Sequence, residues 1–305
     1  MIPESTEPCG VLLLDKPERF TSFDVIARVR RLYGLRRVGH AGTLDPMATG
    51  LLTVLVGRAA KAAEFFADGE KRYEAHFRLG LTSDTEDVWG TIVPTGAPIP
   101  DEETVYRTAE TFLGVIGQVP PMYSALKRDG QKLVDLARRG ITVEREKREI
   151  RIRSLSVQRI TEEEYALTVL CSKGTYIRTL CADIGAALGC GAVMSRLRRT
   201  DVGSLSLADP RCVTLERLES MTEQERFAAL LPIEDAFPEL PRVVLTDFFA
   251  ALAKNGSEIY QKKIGTDLAE NTRVLLFDGT GFFAFAEVRS FPEGSALKPV
   301  RQIRL

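Results

Sequence analysis

Apolar and polar positions change period several times along the chain, and each change marks a boundary between elements. Residues 10–14 are continuously apolar and read as a short buried strand that stops at Asp15-Lys16-Pro17. Thr21-Ser22-Phe23-Asp24 carries a hydroxyl with an acid three residues on, a helix-start signature. Val25, Val29 and Leu32 then repeat at helical spacing, which leaves Arg28 and Arg31 free to face solvent or a nucleic acid. Residues 51–56 read as a strongly apolar strand, and residues 59–66 as a helix carrying Lys61. From residue 71 to 80 the alternation is strict, with Tyr73, Ala75, Phe77 and Leu79 on one face and Glu74, His76 and Arg78 on the other. His76 therefore belongs to a polar face and is not a candidate catalyst.

Further on, residues 101–113 predict a helix with Val105, Ala109, Phe112 and Leu113 on one side, and residues 114–121 read as a loop. Residues 143–160 and 165–171 look like paired strands joined by Thr161-Glu162-Glu163-Glu164. A helix opens at Gly174-Thr175, buries Ile177, Leu180, Ile184 and Leu188, and closes at Gly189. Residues 191–203 form a strand with Arg196, Arg198 and Arg199, and residues 214–231 give one or two polar helices. From about residue 241 short apolar bursts alternate with Asp278-Gly279 and Gly294 turns, which predicts a small β-rich domain.

Between the first helix and the 51–56 strand lies a loop with three glycines, one proline, one carboxylate (Asp45), one imidazole (His40) and two hydroxyls (Thr43 and Thr49). Glycine permits positive φ and proline pins it, so the backbone here is irregular. The plain reading is a tight turn in which Asp45 bonds its own backbone. The other reading is a loop that presents chemistry.

The match of Gly39, Gly42, Thr43, Leu44, Asp45, Pro46, Ala48, Gly50, Leu51 and Leu52 to G-x-x-G-T-L-D-P-x-A-x-G-L-L resembles the catalytic motif of the TruB family of tRNA pseudouridine synthases. Lys71, Tyr73, Ala75, Leu79 and Gly80 fit the family's K-x-Y-x-A-x-x-x-L-G, and residues 120–127 fit P-P-x-Y-S-A-x-K. Residues 173–185 fit K-G-T-Y-I-R-x-L-x-x-D-I-G. The resemblance is dense over residues 10–203 and loose beyond.

It implies an α+β pseudouridine-synthase fold, with a mixed, largely antiparallel central sheet flanked by helices and loops, over residues 1–239. Residues 124–153 are then a basic insertion that closes over RNA, and residues 240–305 a PUA-like RNA-binding β-barrel. In the roles the family implies, Asp45 is the nucleophile, Arg178 pairs with it, and Tyr73 and Tyr176 lie against the target base. Leu197 is near the flipped base, and Arg198 and its neighbours near RNA. His40 fills the vacated space or bonds the phosphate backbone, and Lys61 belongs to the substrate-binding set. Tyr73 could equally be an ordinary core aromatic; one ring can do both.

The residues 83–90 resemble the family's [ST]-D-T-x-D-x-x-G and read as a structured turn with side-chain to backbone bonds rather than a metal site.

Composition adds exclusions. With 44% apolar and 27% charged residues the 305-residue chain is ordinary for a globular protein. The segment 1–9 lacks a basic-then-apolar signal, and no apolar run reaches membrane-spanning length. Five scattered cysteines and two histidines argue against a disulfide framework or zinc site and for a reducing cytoplasm. A net charge of -1 does not announce a nucleic-acid binder, but residues 127–153 hold ten Lys/Arg against five Asp/Glu. No phosphate-binding glycine loop or dinucleotide fingerprint occurs.

Converting uridine to pseudouridine keeps the bond count, so no cofactor and no metal are expected. The expected partner is the T-arm of tRNA, modified at position 55 by a monomer without an obligate protein partner. Asp45 could attack C1′, pass through a glycal, or add to C6. A tRNA-folding factor whose role is binding, or a guide-dependent synthase, are the competing readings; the insertion argues against the latter.

Overall fold

The computed structural model describes residues 7–303. Among them eleven strands form one mixed sheet. Its main path runs Val213–Thr214, Gly10–Lys16, Thr49–Val56, Ala192–Val202, Lys71–Leu79, Glu164–Cys171, Arg148–Arg159 and Gly114–Gln118. Most neighbours are antiparallel. The two parallel pairings are Gly10–Lys16 with Val213–Thr214 and Thr49–Val56 with Ala192–Val202. The second of these joins the two halves of the sheet, and Gly50 sits opposite Arg199 there.

The Ser22–Tyr33 helix starts as its sequence dictates. Thr21 accepts from the Asp24 amide while the Asp24 carboxylate accepts from the Thr21 amide, and Gly34 ends the helix at φ 64°. Its buried stripe of Val25, Ile26 and Val29 packs on the sheet. Burying such side chains is worth about 2 kcal/mol each, so the three together outweigh the cap and the packed face decides the helix. The Lys71–Leu79 strand alternates in burial as its sequence alternates. His76 lies on the outer face, 3.7 Å from Glu164.

Three expectations change. Residues 59–66 are a 3-10 turn, Gly57–Ala62, followed by a short α-helix, Ala63–Ala67. The expected loop at 114–121 contains an edge strand, Gly114–Gln118, paired with Arg148–Arg159. Its two glycines give no alternation, so only the partner strand makes it visible. That partner begins at Arg148 rather than 143, where the edge strand ends. Residues 141–147 are not strand, and before them lie a hairpin of Lys127–Arg128 with Gln131–Lys132 and a short helix, Leu133–Ala137.

The C-terminal residues build a separate five-stranded sheet around Phe283, Val274 and Leu297. It is fastened to the short Ala63–Ala67 helix and the residue after it by Phe65 stacked on Phe285 at 3.9 Å, and by ion pairs Glu64–Arg301 (2.7 Å) and Asp68–Arg273 (2.8 Å). Among the described residues no helix is long and apolar enough to cross a membrane.

Candidate active site

Strand geometry assembles the site. Arg199 pairs with Tyr73 and Leu197 with Ala75 across an antiparallel ladder, so Leu197, Arg199, Lys71 and Tyr73 share one face. Over this face lie the 42–45 loop and the first turn of the Ile177–Ala187 helix. Together with residues 123–125 and Lys132 they enclose a cavity of about 430 Å³.

Asp45, Tyr73, Tyr176, Arg178 and Leu197 all line it. Arg178 Nε is 2.9 Å from Asp45 Oδ2. The guanidinium is 5% exposed and the carboxylate 38%, so the acid reaches the cavity while its cation stays in the wall. Arg178 also donates to the Thr85 carbonyl at 2.8 Å and the Tyr123 carbonyl at 2.9 Å, and lies 3.5 Å from the Asp87 carboxylate. An arginine in a helix's first turn opposes the helix dipole. Two carboxylates and two carbonyls offset that cost.

Asp87 is itself buried and fixed by the Thr85 hydroxyl at 2.7 Å and the Trp89 amide at 3.0 Å. The 83–90 turn is held by side-chain bonds to backbone and to other side chains, and it also delivers Asp87 to Arg178. Gly90 is required there, because a Cβ would sit 2.3 Å from Asp84 Oδ1 and from Thr85 Oγ1.

Two buried cations shape the Asp45 loop from behind. Lys16 donates to the carbonyls of Pro17 (2.9 Å), Phe20 (2.7 Å) and Pro46 (3.4 Å). Burial pulls its ammonium down to about 8, with the Asp45 charge acting in the opposite direction. Arg199 donates to the carbonyls of Leu51 (2.9 Å) and Gly42 (3.2 Å). Lys71, lowered to about 8 chiefly by burial, bonds the Ala67 and Gly69 carbonyls. Burial raises the Tyr73 and Tyr176 phenols, so both stay protonated donors.

Three expected site residues lie outside the cavity lining. Arg198 points to the opposite face of its strand and forks onto Asp15 at 2.7 and 3.2 Å. The period of two that gives Leu197 and Arg199 to the cavity excludes Arg198 from it. Lys61 sits on the Gly57–Ala62 turn, whose Ala59 and Ala62 pack into the cluster shared with the C-terminal sheet. His40 ends the Val38–His40 strand and stands edge-on to Phe23 at 5.8 Å. Burial, then the Arg199 charge, lowers its pKa, so the imidazole is neutral.

Sequence reading placed Arg199 with its neighbours near RNA rather than behind the Asp45 loop, and it missed Lys16, whose only signal was a charge at the end of an apolar strand. Among the described residues no three His, Cys, Asp or Glu side chains converge as a metal site requires.

The model of the TruB family pseudouridylate synthase N-terminal domain matches residues 30–177, and that of the tRNA pseudouridylate synthase B C-terminal domain matches residues 178–238. The chain is 44% identical over 271 residues to tRNA pseudouridine synthase B of Burkholderia pseudomallei (strain 668), covering 88% of this chain and 89% of that protein. It is 42% identical over 294 residues to the protein of the same name from Azoarcus sp. (strain BH72), covering 96% and 94%. A chain of the crystal structure of a Cbf5-Nop10-Gar1 complex superposes with a TM-score of 0.74 at 26% identity, over 96% of this chain and 84% of that one. With matches that span both sheets and the whole cavity, the chain belongs to the TruB family of pseudouridylate synthases.

Proposed function

We propose that this protein isomerises uridine to pseudouridine at position 55 in the T-loop of tRNA, with Asp45 as nucleophile. The observation that carries the reading is an accessible aspartate held at 2.9 Å by a buried arginine, in a cavity walled by Tyr73 and Tyr176. The reaction breaks C1′–N1, turns the uracil, joins C1′ to C5 and moves the C5 proton to N1, so atoms and electrons balance without a redox partner. A carboxylate can divide such a step by a covalent intermediate. Arg178 orients Asp45 through a charge-assisted bond.

The uridine must leave its stack, a cost of a few kcal/mol that stacking on Tyr73 and Tyr176 offsets. Leu197 supports the flipped base from the sheet side. Lys132 and residues 123–125 close the cavity, consistent with residues 124–153 covering bound RNA. In this reading residues 1–239 are the catalytic domain and residues 240–305 an RNA-binding module. The protein acts as a monomer in the cytoplasm, on the tRNA T-arm, without a guide RNA.

The test is incubation of the purified chain with a T-arm hairpin transcript. Pseudouridine is expected at one loop uridine. Asp45→Asn should abolish turnover while RNA affinity stays within about threefold. An unmodified transcript, or near-normal turnover by Asp45→Asn, would overturn the reading.

A further inference from the structure

Beside the cavity, residues 16–23, which run into the first turn of the Ser22–Tyr33 helix, are bolted to the Asp45 loop from three points. The Arg19 amide donates to the Pro46 carbonyl at 2.8 Å. Ser22 Oγ donates to the Leu44 carbonyl at 3.1 Å and accepts from the Leu44 amide at 2.9 Å. Lys16 bonds the Phe20 and Pro46 carbonyls. These bonds fix the flank rigidly, yet two of its side chains point outward. Phe23 is 69% exposed and touches His40 edge-on. Arg19 is exposed and holds φ 68°, the left-handed region where any residue but glycine is strained. The Thr21–Asp24 capping box bonds the Thr21 and Asp24 amides at the helix end.

A strained arginine and a bare phenyl ring, both on a rigid lip, are a cost to the fold in isolation. Aromatic rings interleaved with cations are what an unstacked RNA strand needs, with a ring for a base and a guanidinium for a phosphate. We propose that Arg19 and Phe23 grip the RNA strand next to the target uridine: Phe23 stacks on the flanking base and Arg19 pairs with a phosphate. The proposal deepens the pseudouridylation reading and rests on it for the substrate. Both residues are positioning residues, since neither lines the cavity.

The test separates fold from function. Arg19→Gly relieves the backbone strain, so its melting temperature should stay level or rise by about 2 °C. Its KM for the T-arm hairpin should nevertheless increase severalfold, and the slope of log affinity against log salt should fall by about 0.7, one phosphate contact on a single strand. Phe23→Ala should raise KM about tenfold with kcat changed less than about threefold, and Phe23→Trp should restore it.

A hairpin lacking the base on one side of the uridine should bind wild type more weakly, and Phe23→Ala should lose nothing further on it. Affinities are read by anisotropy of labelled hairpin in the Asp45→Asn background. The grip is therefore judged even if the wild type fails to convert uridine, a failure that would count against the activity alone. Wild-type affinity and salt slope in Arg19→Gly, or equal sensitivity of wild type and Phe23→Ala to the missing base on either side, would overturn the proposal.

Discussion

Arg178 is shared by two carboxylates, Asp45 at 2.9 Å on its Nε and Asp87 at 3.5 Å on its Nη1. Asp87 has no face on the cavity, so its effect on chemistry must run through the guanidinium. Asp87→Asn keeps the shape and removes the charge. Turnover should fall about 10- to 100-fold, as expected when a reacting group is misplaced by about 1 Å, while hairpin affinity stays within about threefold. Single-turnover rates at saturating enzyme check this; an unchanged rate would show that Arg178 needs only Asp45.

Adjacent arginines on one strand should behave oppositely. Arg198 makes a part-exposed pair with Asp15, an interaction of about 0–1 kcal/mol. Arg199 is buried and satisfies the Gly42 and Leu51 carbonyls. Arg198→Ala should leave stability within about 1 kcal/mol. Arg199→Met strands those two acceptors and should cost about 2–4 kcal/mol. Urea denaturation of both variants tests the strand's orientation directly.

Two glycines at positive φ should differ in tolerance. At Gly50, φ 100°, an added Cβ would lie 2.3 Å from the Arg199 carbonyl oxygen. At Gly174, φ 82°, it would meet nothing within 4 Å. Gly174→Ala should cost about 1 kcal/mol from backbone strain alone. Gly50→Ala adds a backbone clash at the parallel junction of the sheet and should cost about 3 kcal/mol or more. Equal losses in thermal melts would count against the tight register there.

Lys16 gives a pH signature. Its ammonium is lowered from 10.5 to about 8, mainly by burial. Below pH 8 it is charged in both folded and unfolded chains, and the burial penalty is fully present. Between pH 8 and 10.5 the unfolded chain binds more protons, so this residue's contribution to stability rises with pH. The stability of wild type relative to Lys16→Met should therefore increase from pH 7.5 to 9.5, by at most about 3 kcal/mol. A flat or falling difference in urea midpoints would contradict the buried charge.

Local pattern carried much of the architecture. The capping box at Thr21, the alternation of residues 71–79 and the stripe of Ile177, Leu180 and Ile184 each encode an element within a few residues of sequence. Glycines and a proline marked the loop around Asp45 as irregular, but the resemblance to the family motif is what pointed to it as the site. The edge strand Gly114–Gln118 was illegible because its identity comes from a partner some thirty residues away.

The same holds within the site. Sequence placed Arg196, Arg198 and Arg199 in one cluster, but the register against Tyr73 decides that only Arg199 turns into the cavity wall. Asp87 read as a turn residue until the helix carrying Arg178 was packed beside it. Side-chain periodicity is a property of one strand or helix and can be read along the chain. Which carboxylate meets which guanidinium depends on how distant elements pack, and that is fixed only when the tertiary fold brings them within hydrogen-bonding distance.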